Sequence, residues 1–104
     1  MDNSTKVLQL KHARDGNTNI SMDDVFTKDE QLLIEKFIPQ LEGKTEKLKK
    51  PYPIGQLSRA TWTIARLGGW KGYKSSRPAG MKTLKRGLDK FNERFIGWHL
   101  ARDQ

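Results

Sequence analysis

With 104 residues and no cysteine, the chain is one small domain or part of a larger one, without disulfide frameworks, thiolate metal sites or cysteine nucleophiles. Its net charge of +8 is unevenly placed: residues 1–43 hold 5 Lys/Arg against 8 Asp/Glu, residues 44–94 hold 14 against 3, and residues 95–104 hold one of each. A middle this basic suits a polyanion, most often nucleic acid, with a solvated face or an acidic protein partner as the alternatives.

The N-terminus, MDNSTKVLQLKHARDG, lacks the long apolar core and small-residue cleavage site of a secretory signal. No run of about 18 apolar residues occurs, so no transmembrane helix is expected, and a cytoplasmic location is the default. Val7, Leu8 and Leu10 in VLQLKHAR read as the tail of a longer helix, with too few residues before it to build a core. Residues 15–19, DGNTN, form a turn-rich loop. Residues 20–26 connect onward without clear periodicity.

A helix start follows. Thr27 is a candidate N-cap with Glu30 three residues on, a capping box, and Asp29 and Glu30 suit the positive end of the helix dipole. Leu33, Phe37 and Leu41 share one face with Ile34 and Ile38 alongside. Pro39 disfavours the α region at Ile38, so the regular helix is expected to stop there. Residues 43–53, GKTEKLKKPYP, read as an exposed basic linker, extended around Tyr52 by two prolines.

The next helix is expected over Gln56–Leu67. Leu57, Ala60, Thr61, Ile64 and Leu67 form its apolar stripe, with Trp62 and Ala65 near the edges. Gly68 stands where a left-handed residue is wanted after a helix, and Arg59 and Arg66 share a face. Pro78 is a plausible start for the last and longest helix. There Leu84, Leu88, Phe91, Phe95 and Trp98 recur at gaps of 4, 3, 4 and 3, a seam of average period 3.5 widened by Ile96 and Leu100. Lys82, Lys85, Arg86, Lys90 and Arg94 take much of the remaining surface. Gly87 and Gly97 lie inside this helix at a cost of about 1 kcal/mol each relative to Ala, tolerable where another backbone comes close. With no useful strand alternation, the expected fold is a small all-α domain of about three to four helices with a long C-terminal helix.

The loop between the last two helices superficially resembles a phosphate cradle, with Gly68, Gly69 and Gly72 ahead of Lys74 and Ser75. A P-loop requires Gly-Lys-Ser/Thr after a strand; no such triplet stands in this loop and the lead-in is helical, so that reading is rejected. A generic anion site from Lys71, Lys74 and Arg77 stays open. Trp70 and Tyr73 are either bases' stacking partners or corner packing, and for Trp70 corner packing is favoured. His12 and His99 stand far apart, and no convergent set of acids, bases or metal ligands is evident.

Several stretches together resemble a known family. A capped TKDEQLL helix, a Lys-rich linker, WTIARLGGWK, then PAGMKTLKRGLDKF and a late Gly-Trp are similar to the C-terminal region of bacterial DDE transposases of the insertion-sequence-four group. The resemblance runs from about Phe26 to Asp103. Its most specific part is Ala65–Trp70, ARLGGW, followed by Leu84–Gly87. It implies residues 1–25 as a tail resembling the end of a catalytic core plus linker, and residues 26–104 as a helical dimerisation domain. The family's last helix joins two subunits, which carries over to Leu84, Leu88, Phe91, Phe95, Trp98 and Ala101.

The family's metal-binding catalytic carboxylates lie upstream of the matched region. The resemblance therefore implies a non-catalytic piece with no cofactor and no small-molecule substrate. It would form a homodimer or join a full-length transposase. Lys85 stands where many relatives carry an aromatic residue, which makes this helix more basic. Two alternatives accompany the association module. One is a basic nucleic-acid-binding module using Lys71, Lys74, Arg77, Lys82, Lys85 and Arg86. The other is a truncated regulator forming inactive mixed dimers. Gly68, Gly69, Trp70 and Pro78 are expected to be structural.

Overall fold

A computed structural model of the chain describes residues 3–14, 20–42, 51–73 and 76–102. Among these residues the protein is all-α, with α1 (Asn3–Ala13), α2 (Lys28–Leu41), α3 (Leu57–Leu67) and α4 (Met81–Arg102). A 3-10 turn, Met22–Asp24, precedes α2. The sole extended pairing among the described residues is an isolated antiparallel bridge between Ser21 and Gln56.

Helix α3 is the centre of the molecule and packs against α1, α2 and α4. This explains why Trp62 and Ala65, placed at the edges of its stripe by periodicity, are as buried as Leu57, Ala60 and Ile64. A helix flanked on three sides has no polar face to spare. Its buried hydroxyls are put to use. Ser58 Oγ donates to the Ala13 carbonyl at 2.6 Å, and Thr61 Oγ1 donates to the Leu10 carbonyl at 2.9 Å. These are the terminal carbonyls of α1, which no intrahelical N–H can satisfy.

Helix α1 therefore belongs to the core. Val7, Leu10 and Ala13 are buried in the same cluster as α2, α3 and α4, against the expectation that this stretch lacked the residues to build one. It needs no core of its own, because α3 and α4 supply the other walls. The Arg14 guanidinium donates to the Ala79 carbonyl at 3.0 Å, tying the end of α1 to the approach to α4. The aperiodic stretch before α2 also contributes, since Met22, Val25 and Phe26 are buried around the 3-10 turn.

Helix α2 starts as its sequence demands. Thr27 Oγ1 accepts from the Glu30 N–H, and the Glu30 carboxylate accepts from the Thr27 N–H at 2.8 Å. Its end differs from expectation, for Pro39 lies inside the helix, which continues to Leu41. Proline removes one N–H, but the ladder resumes at once with Glu42 N–H donating to the Ile38 carbonyl at 2.9 Å. So close to the end, few hydrogen bonds are at stake.

Helices α3 and α4 cross at two glycines. A Cβ on Gly68 would stand 2.0 Å from the Thr83 carbonyl oxygen, and one on Gly87 would stand 1.8 Å from the Ile64 carbonyl oxygen. Each glycine thus admits the other helix's backbone. Gly68 is in the right-handed region (φ −79°), so its expected left-handed role is corrected: Gly69 makes that turn, at φ +100°. Gly68 is needed for proximity and Gly69 for conformation. Pro78 is also displaced from its expected role. Helix α4 begins at Met81, with Leu84 N–H donating to the Gly80 carbonyl, and Pro78 belongs to the approach.

Candidate interaction surfaces

The seam on α4 divides in two. Leu84, Leu88 and Phe91 have no solvent exposure. Phe91 is the hub of an aromatic cluster, meeting Phe26 edge-on at 6.0 Å, Phe37 at 6.2 Å and Phe95 at 6.3 Å between ring centroids. These three residues seat α4 on its own chain and present nothing to a second subunit, which corrects their expected place at an interface. Periodicity finds the buried face of a helix but not what buries it.

Beyond Phe91 the cover thins. Phe95 and Trp98 are half-buried against the core, and Ala101 is exposed. Ile96 and Leu100, which periodicity had placed beside the seam, are each 61% exposed. Gly97 lies between them with no atom within 4 Å of where its Cβ would stand. The end of this segment is fastened to the start of α2. Arg102 and His99 approach the two oxygens of Asp29 at 3.4 and 3.5 Å, and the Arg102 guanidinium lies 4.5 Å over the Trp98 ring.

The corner between α3 and α4 is closed by Trp70, as expected. Its ring packs on the core, its backbone N–H donates to the Ala65 carbonyl at 2.9 Å, and its Nε1 donates to the Arg77 carbonyl at 2.8 Å. The Arg66 guanidinium spans the corner, donating to the carbonyls of Trp70, Lys71 and Leu41. It thereby joins the ends of α2 and α3 and is committed to structure. A shallow groove of about 490 Å³ opens beside it, lined by Arg66, Gly69, Trp70, Lys71 and Tyr73. Tyr73 is 41% exposed.

The six residues considered for anion contact sort as follows. Lys71, Arg77, Lys82, Lys85 and Arg86 are exposed. Lys74 lies outside the described residues. Sequence reasoning mentioned Lys90 only as surface, yet it is equally exposed on the same half of α4, and its i+4 spacing from Arg86 was the available signal.

Acidic side chains are used differently. Glu35 forms a two-pronged pair with Arg59 at 2.6 and 2.7 Å. These hydrogen bonds raise the Arg59 guanidinium further above its already high range, outweighing burial. Glu30 meets Lys6 at 3.5 Å, and Asp24 accepts from the Ser21 backbone. The Gln31 amide and the Lys28 ammonium beside Asp23 hold its carboxyl below the usual carboxylate range.

Among the described residues no group of three or more His, Asp or Glu gathers in a way that would hold a metal ion. No helix there is long and apolar enough to cross a membrane. No protein-family model matches the chain, and no curated protein or solved structure is significantly similar to it.

Proposed function

We propose that the chain is a non-catalytic association module, of the kind implied by its resemblance to the C-terminal region of bacterial DDE transposases. In this reading the second half of α4 meets a second copy of the chain or the equivalent helix of a full-length transposase. One observation carries it: Ile96 and Leu100, one helical turn apart on one face, each stand 61% exposed, with an open glycine, Gly97, beside them. Single exposed apolar residues are ordinary. Here Ile96, Gly97, Leu100 and Ala101 make a contiguous strip on a helix whose opposite face is already anchored, and Gly97 leaves room for a second backbone.

Burying such a strip supplies a driving force proportional to the apolar area removed from water. It also adds stability to a domain small enough to gain from it. Light scattering coupled to size exclusion tests the proposal. The wild-type chain should shift toward a dimer with rising concentration, and Ile96→Glu with Leu100→Glu should hold it monomeric at unchanged helicity. Identical masses for the two proteins at every concentration would remove the proposal.

A second reading, contact with nucleic acid, is favoured by the exposure of Lys71, Arg77, Lys82, Lys85 and Arg86 on one corner of the molecule.

A further inference from the structure

Residues 71–90 contain seven Lys/Arg and one acid, Asp89. Composition does not say whether these cations act together, since some lie on a loop and some on a helix. The glycine crossing decides it. Gly68 sits against the backbones of Thr83 and Gly87. The loop therefore leaves α3 at the level of α4 that carries Lys82 and Arg86. The Trp70 Nε1 bond to the Arg77 carbonyl then holds the loop's two arms together.

We infer that the corner and the first half of α4 form one composite surface for the phosphate backbone of duplex DNA, engaging Lys71, Arg77, Lys82, Lys85, Arg86 and Lys90. This rests on the nucleic-acid reading and specifies its ligand and its geometry.

Three features select an external polyanion. First, four acids of the N-terminal half are paired within the chain: Asp23 with Lys28, Asp29 with Arg102, Glu30 with Lys6 and Glu35 with Arg59. Among the described residues none of the six cations has an ion-pair partner. Second, Lys82, Arg86 and Lys90 follow one another at i, i+4 and i+8, a spacing at which like charges destabilise a helix. Third, the first turn of α4 carries no acid, so nothing on it compensates the positive end of the helix dipole.

A duplex fits better than a single strand. Single-strand binders combine a basic groove with several aromatic platforms. Here the Trp70 ring is spent on the corner, and Tyr73 is the exposed aromatic side chain beside the cations. The stretch from Lys82 to Lys90 spans about 12 Å of helix axis. Over that length a duplex presents about seven phosphates on its two strands. Contact is thus to phosphate and independent of sequence.

The test is fluorescence anisotropy of a labelled DNA duplex against salt, using the full chain. With all six cations engaged, log affinity should fall against log salt with a slope of about −5.4, or about 1,800-fold between 50 and 200 mM. Lys71→Gln with Arg77→Gln, and separately Lys82→Gln with Arg86→Gln, should each flatten that slope by about two units. Circular dichroism should be unchanged, because all four side chains are exposed.

A loop variant that keeps the wild-type slope overturns the composite surface, while leaving DNA contact through α4 standing. Tighter binding to the single strand, or to vesicles rich in phosphatidylserine, overturns the assignment to a duplex. No binding of duplex at low salt removes the inference and the nucleic-acid reading together.

Discussion

Replacing Gly87 by alanine should destabilise the protein, although alanine is the better helix former. A methyl group there would lie 1.8 Å from the Ile64 carbonyl oxygen, 2.8 Å from the Ile64 carbonyl carbon and 3.0 Å from the Gly68 nitrogen. All three obstacles are backbone, so no side chain can swing aside. Reaching ordinary contact at 3.4 Å requires α3 and α4 to part by about 1.6 Å at their crossing. A gap of 0.5–1 Å already forfeits roughly a quarter to a half of a contact's dispersion energy.

Overpacking costs about 1–3 kcal/mol, and a backbone obstacle belongs at the upper end. Helix propensity returns about 1 kcal/mol. The net loss is about 2 kcal/mol, or about 8–16 °C in midpoint temperature for a domain of this size. Gly97→Ala is the control. It sits in the same helix, with nothing within 4 Å of its Cβ position, and should raise the midpoint by about 4–8 °C through propensity alone. Thermal unfolding followed by far-UV circular dichroism, at concentrations low enough to favour the monomer, measures both. If the two alanines shift the midpoint alike, the close crossing is wrong.

Ser58→Ala removes the donor to the buried Ala13 carbonyl and should cost about 1–3 kcal/mol in urea unfolding, the cost of an unsatisfied buried acceptor; an unchanged midpoint contradicts the role of α3 in ending α1. Asp23 should titrate below 3.8 in an NMR pH series, chiefly through its bond to Gln31. Because its folded pKa is depressed, the linked stabilisation is present above the ordinary carboxylate value and is lost as pH falls through the folded one. Gln31→Ala should move the titration back toward 3.8, and a wild-type titration at or above 3.8 contradicts the assignment.

What the sequence discloses depends on how local the physics is. The Thr27–Glu30 capping box is legible because both partners lie within one turn. Helix α3 is legible because its apolar positions repeat at helical spacing. Helix α1 is legible as helix, but its place in the core is not, because the groups completing it, Ser58 and Thr61, are 45 and 51 residues from the carbonyls that they satisfy. Gly87 raises the right question from sequence, a glycine that needs a close backbone. Its answer, Gly68, depends on where two helices cross. The 3.5 period of α4 identifies a face without saying that the chain itself covers Leu84 to Phe91. The basic corner is visible in composition, but that its described cations have no ion-pair partner, while Asp23, Asp29, Glu30 and Glu35 pair elsewhere, is a property of the fold.

Sedimentation equilibrium of the wild-type chain, over low to high micromolar concentration and at low and high salt without DNA, tests the association module most directly. An interface built on Ile96 and Leu100 predicts a monomer–dimer equilibrium that persists at high salt, since apolar burial is not screened. A strict monomer throughout, or a dimer that dissolves as salt is raised, would contradict it.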